Sequence, residues 1–74
     1  MTVYQIAAQQ LEYFATNRRW QKPTTHEEAQ ANRFIVHIFE VYEGYHPDKA
    51  SASQALDMAE RIRRTWAKTC NIPQ

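Results

Sequence analysis

The sequence predicts an all-α fold, a three-helix bundle with a central, mostly apolar second helix. Three observations predict it. The chain has a single glycine, too few for the many tight turns of a sheet-rich domain. Ser or Thr is followed three residues later by Glu or Gln at Thr2/Gln5, Thr25/Glu28 and Ser51/Gln54. That is capping-box spacing, in which two side chains satisfy N–H groups left open at a helix start. Each box is followed directly by apolar residues at the helical period.

The first helix is expected from Val3 to Arg19. Val3, Ala7, Leu11, Phe14 and Arg18 share one side, with Tyr4 and Ala15 beside them, while Gln5, Gln9, Glu12, Thr16 and Arg19 lie opposite. Pro23 closes the segment, because the residue before a proline is driven out of the helical region.

The second helix is expected from His26 to Glu43. Ala31, Phe34, Ile35, Ile38, Val41, Tyr42 and Tyr45 make its main apolar side. Val36 and Phe39 lie outside that side, which leaves only a narrow polar strip of Gln30, Arg33, His37 and Glu40. A helix apolar over most of its circumference belongs at the centre, between two neighbours or against a second protomer. Gly44 is the natural stop. The stretch Phe34–Tyr42 is also rich in strand-forming residues. A lone strand would have no partner here, so helix is preferred.

The third helix is expected from Ala52 to Thr69, with a stripe of Ala52, Ala55, Met58, Ala59, Ile62, Trp66 and Cys70. Asp57/Arg61 and Glu60/Arg64 stand four apart, acid before base, each pair contributing about 0.2–0.5 kcal/mol. Pro73 ends it. The connections Trp20–Thr24 and Tyr45–Ala50 suit antiparallel neighbours.

Residues 1–74 read as one helical domain. A chain this short buries only about 60% of the surface its unfolded form exposes, so it has one modest core. Nine Lys+Arg against eight Asp+Glu give a net charge of +1, which argues against coating a nucleic acid or a membrane by bulk charge. A single cysteine, Cys70, cannot close an internal disulfide and favours a reducing compartment. The opening residues carry neither the basic start nor the apolar run of a signal peptide. The longest apolar stretch falls well short of the roughly 20 residues of a membrane span. A cytoplasmic location with no membrane contact is expected.

The side chains offer little chemistry. His37 and Glu40 could face one ion, but no second motif completes the three or four ligands a metal site needs. His26, His46 and Cys70 do not supply one at recognisable spacing. Cys70 lies on an apolar stripe, where a cysteine stays a thiol. One glycine rules out a phosphate-cradling loop. No catalytic residue, metal or cofactor is expected, and the chain reads as a non-enzyme.

Binding is better supported. Trp20 stands among Arg18, Arg19 and Lys22, and the loop Tyr42–Asp48 gathers Tyr45 and His46. Trp, Tyr and Arg dominate interface hot spots, because they join large buried area to a polar handle. Val36 and Phe39 exceed what two flanking helices can cover, which predicts a homodimer contact or a partner's groove. Arg63 stands at the margin of the third stripe. Trp20, Val36, Phe39, Tyr45, His46 and Arg63 are therefore the expected protein-binding set. The expected function is a small regulator, adaptor or inhibitor that occupies another protein's surface. Size alone also fits the inhibitors that phages and mobile elements carry. The alternative is a small dimeric nucleic-acid-binding regulator using Arg61, Arg64 and Lys68. It ranks second, because Asp57 and Glu60 lie among those cations.

Overall fold

A computed structural model describes residues 2–67. They form three α-helices, α1 (Val3–Asn17), α2 (His26–Tyr42) and α3 (Ala52–Ile62). A 3-10 turn at Pro47–Lys49 precedes α3 and a π-helical turn at Arg63–Ala67 extends it. The three-helix bundle is thus present, and Phe34–Tyr42 is helical rather than extended. Among the described residues no helix is long and apolar enough to cross a membrane.

The helix starts follow their side chains. Thr2 Oγ1 accepts the Gln5 N–H at 3.2 Å while Gln5 Oε1 accepts the Thr2 N–H at 3.0 Å. Ser51 and Gln54 repeat this at 3.1 and 2.9 Å. The expected box at Thr25 forms only by half. Thr25 Oγ1 accepts the Glu28 N–H, but the Glu28 carboxylate turns to the N–H and hydroxyl of Thr24, at 2.7 and 3.1 Å. Those bonds, the backbone one first, hold the Glu28 carboxyl below its ordinary pKa.

The helix ends differ from the expected ones. α1 stops at Asn17, two residues early, because Arg18 turns into the left-handed region at φ 56° and donates its N–H to Phe14 O at 2.8 Å. α2 stops at Tyr42. Glu43 and Gly44 both donate to Phe39 O, and Gly44 takes φ 80°, where a glycine has no Cβ penalty. Beyond Ala67 the expected run of the third helix to Thr69, with Lys68, lies outside the described residues, as does Cys70.

The central place expected for the second helix falls to the first. α1 packs along both α3 and α2, whereas α2 and α3 hardly approach at backbone distance. α1 accordingly buries a wide face of Ala7, Ala8, Gln10, Leu11, Phe14 and Ala15. Against it α3 buries Ala55, Met58, Ala59 and Ile62. The alanines on both sides let the two backbones come close. Gln10 is the polar exception. Its Nε2 reaches Glu28 O only at 3.4 Å, and its buried Oε1 has no hydrogen-bond partner among the described residues.

Packed mainly on α1 and the Pro47–Lys49 turn, α2 covers only a stripe of Ala31, Ile35, Ile38 and Phe39. This stripe is rotated from the expected one. Phe39, expected to lie beyond the reach of the core, is 0% exposed, so its assignment to a protein-binding surface is corrected. Burial of a side chain this size contributes about 1.5–3 kcal/mol, so an available core space is filled. Val41 and Tyr42, expected inside, are instead 61% and 59% exposed. Three half-buried aromatics and the exposed Tyr42 link the elements along one flank. Tyr4 meets Phe34 at 5.3 Å between centroids, Phe34 meets Trp66 at 5.4 Å, and Trp66 meets Tyr42 at 6.5 Å.

Candidate functional site

The site begins with the left-handed turn at Arg18. It reverses the chain at the end of α1 and lays the Trp20 indole flat on Phe14, with centroids 4.2 Å apart and planes within 7°. The Arg18 guanidinium lies 4.7 Å from the same Phe14 ring and donates to Ala50 O at 3.0 Å. The Trp20 indole N–H donates to Asp48 Oδ1. Segments 18–22 and 46–50 are thereby tied together across the end of α1, by two side chains that each bridge to the other segment.

His46 shapes the second segment. Its Nδ1 accepts the Asp48 N–H at 3.1 Å and caps the short turn that Pro47 begins. In the neutral ring this leaves the proton on Nε2. The Asp48 carboxylate lies 3.4 Å from the same Nδ1, an ion pair only when the ring is charged. Pro47 is fully buried.

Between these segments and α2 lies a cavity of about 290 Å³, lined by Trp20, Asn32, Ile35, Val36, His46, Pro47 and Asp48. Its walls are mostly apolar. Its size is at the bottom of the ~300–1,000 Å³ range of small-molecule pockets, which suits one anchoring side chain better than a cofactor. Past Asn32 and Val36 the depression continues over Arg33, His37 and Glu40, a shallower hollow of about 330 Å³. The two together make one groove along the outer side of α2.

Of the expected protein-binding residues, Trp20, Val36 and His46 meet in this groove. Phe39 belongs to the core. Tyr45 is half-buried with its ring 5.9 Å from Phe39, so it covers the core beside the groove, and its buried hydroxyl has no hydrogen-bond partner among the described residues. Arg63 is elsewhere. Its guanidinium closes on Glu12 of α1 with two parallel hydrogen bonds, the Nη2–Oε1 one 2.9 Å long. The Arg63 hydrogen bond is the main reason the Glu12 carboxyl is held below its ordinary pKa. Asn32, Pro47 and Asp48 were not singled out in sequence. The indole hydrogen bond that recruits Asp48 joins residues 28 apart, which no helical spacing reveals.

Two of the three cations expected to serve nucleic acid, Arg61 and Arg64, face carboxylates. Arg64 Nη2 lies 3.0 Å from Glu60, as the spacing predicted, whereas Arg61 reaches Glu43, just past the end of α2, at 3.8 Å rather than Asp57. Lys68 lies outside the described residues. Among the described residues no group of three or more His, Cys, Asp or Glu is placed to hold a metal ion, and His37 and Glu40 form part of the groove floor. No protein-family model matches the chain, and no curated protein or solved structure matches it significantly.

Proposed function

We propose that this chain is a non-enzymatic protein-binding module, a cytoplasmic regulator, adaptor or inhibitor that docks a partner protein in the groove beside Trp20. The observation that carries this reading is the convergence of Trp20, Val36 and His46, distant in sequence, on one apolar cavity. Binding hot spots are desolvated pockets built around residues of this kind. The groove is also held in shape before any partner arrives. Trp20 is fixed by its stack on Phe14 and its bond to Asp48, and His46 by the cap it makes. A surface ordered in advance lowers the entropic cost of association.

A nucleic-acid role finds less support, since Arg61 of α3 and Arg63 and Arg64 of the turn that extends it each face a carboxylate. A homodimer was suggested by Val36 and Phe39 together, and only Val36 remains available for it.

The test is capture from host lysate with the wild-type chain, Val36→Glu and the pair Arg61→Glu/Arg64→Glu, with and without nuclease. Circular dichroism checks that each variant is folded. The reading predicts a stoichiometric protein that survives nuclease, is lost with Val36→Glu and is kept with the arginine pair. Material that vanishes with nuclease, or with the arginine pair alone, overturns it.

A further inference from the structure

The net charge of +1 conceals an uneven distribution. Arg61, Arg63 and Arg64 are balanced by Glu43, Glu12 and Glu60. Arg19, Lys22, Arg33 and Lys49 pair with no carboxylate among the described residues, and Arg18 donates to a backbone carbonyl rather than an acid. Four of these five cations lie on the segments 18–22 and 46–50, which contribute Trp20, His46, Pro47 and Asp48 to the cavity, and Arg33 lines its continuation. Those two segments contain one carboxylate, Asp48, which is already engaged by the Trp20 indole. Glu28, near the start of α2, is turned to Thr24. The groove therefore pairs a mostly apolar cavity with unpaired cations on the segments beside it, against Asp48 and Glu40 in its own lining.

Building on the docking role proposed above, we infer that the occupant is an acidic polypeptide segment carrying one bulky apolar side chain. The apolar side chain fills the cavity between Trp20, Val36 and Pro47. The flanking carboxylates face Arg19, Lys22 and Lys49. These exposed cations speed encounter and select against basic partners more than they add raw affinity. A nucleic acid fits the groove less well. Its bases need free aromatic faces to stack on, and one face of Trp20 is taken by Phe14.

The test titrates three probes into the ¹⁵N-labelled chain. They are a short Asp/Glu peptide with one central Phe, the same peptide with Lys in place of the acids, and single-stranded oligothymidylate. The acidic peptide should shift the Trp20 indole N–H and the Val36 and His46 amides. Its affinity should fall about tenfold or more in Lys22→Glu/Lys49→Glu, two exposed positions that leave the core intact, and should weaken with salt. The Lys peptide should leave the groove signals unmoved. Equal binding of the two peptides, or no effect of the double reversal, overturns the acidic assignment. So does oligothymidylate moving the groove signals when the acidic peptide does not. If neither peptide binds while Val36-dependent capture from lysate persists, the charge assignment is wrong and the docking role stands. If that capture is also absent, both fall. Concentration-dependent doubling of mass with loss of the groove signals would assign the groove to a second copy instead.

Discussion

Trp20 and Asp48, 28 residues apart, are joined by the indole N–H, and this bond closes one end of the groove. Its donor ring is the same one that stacks on Phe14, so the packing of α1's last turn and the position of the Pro47–Lys49 turn depend on one side chain. Trp20→Phe keeps an aromatic ring over Phe14 and removes the donor. The expected loss is about 0.5–1.5 kcal/mol, roughly 4–8 °C in Tm per kcal/mol for a domain of this size. Asp48→Ala should add little on top of Trp20→Phe in a thermal double-mutant cycle. Full additivity would show that the bond contributes nothing.

Glu12 and Arg63 give the fold a pH dependence of known sign. The Arg63 hydrogen bond holds the Glu12 carboxyl below its ordinary pKa of 4.5. A lowered folded pKa means that the pair's contribution is fully present above 4.5 and lost as pH falls through the folded value. Both side chains are 43% exposed, so solvent screening keeps the contribution small, about 0.2–1 kcal/mol. Urea unfolding should find Glu12→Gln less stable than wild type by that amount near neutrality. The difference should close in acid. A gap that stays constant down to low pH would contradict the assignment.

Phe39 and its neighbours test the rotated face of α2. Phe39→Ala removes a fully buried ring and should cost about 3–5 kcal/mol, enough to unfold a small domain at ambient temperature. Val41→Ser, on the exposed side, should stay within about 0.5 kcal/mol of wild type. The reverse order in a chemical denaturation series would restore Val41 to the core.

Arg18 carries a left-handed backbone that glycine adopts more cheaply. Arg18→Ala and Arg18→Gly both lose the bond to Ala50 and the contact with Phe14. Only the glycine variant also relieves the strain, so it should be the more stable of the two by about 1–2 kcal/mol. Thermal melts of the pair measure this directly. Equal melting temperatures would mean that the turn relaxes once the guanidinium is gone.

Much of the bundle is legible along the chain because its causes are local. Capping at Thr2 and Ser51 uses atoms three residues apart, and the α3 stripe of Ala55, Met58, Ala59 and Ile62 follows from the helical period alone. Trp20 and His46 could be picked out by residue type. Tertiary structure decided what spacing cannot express. It chose Phe39 over Val41 and Tyr42 for the core, because α2 is covered on one side by α1 and the 47–49 turn, and the buried stripe is whichever side meets that cover. It sent Arg63 to Glu12 of α1 and Arg61 to Glu43, just past the end of α2. It also built the groove, since a cavity shared by residues 20, 36 and 46 exists only once three separate segments are held together. Periodicity sorts the residues of one helix relative to each other, but which side is inside depends on the neighbours it meets.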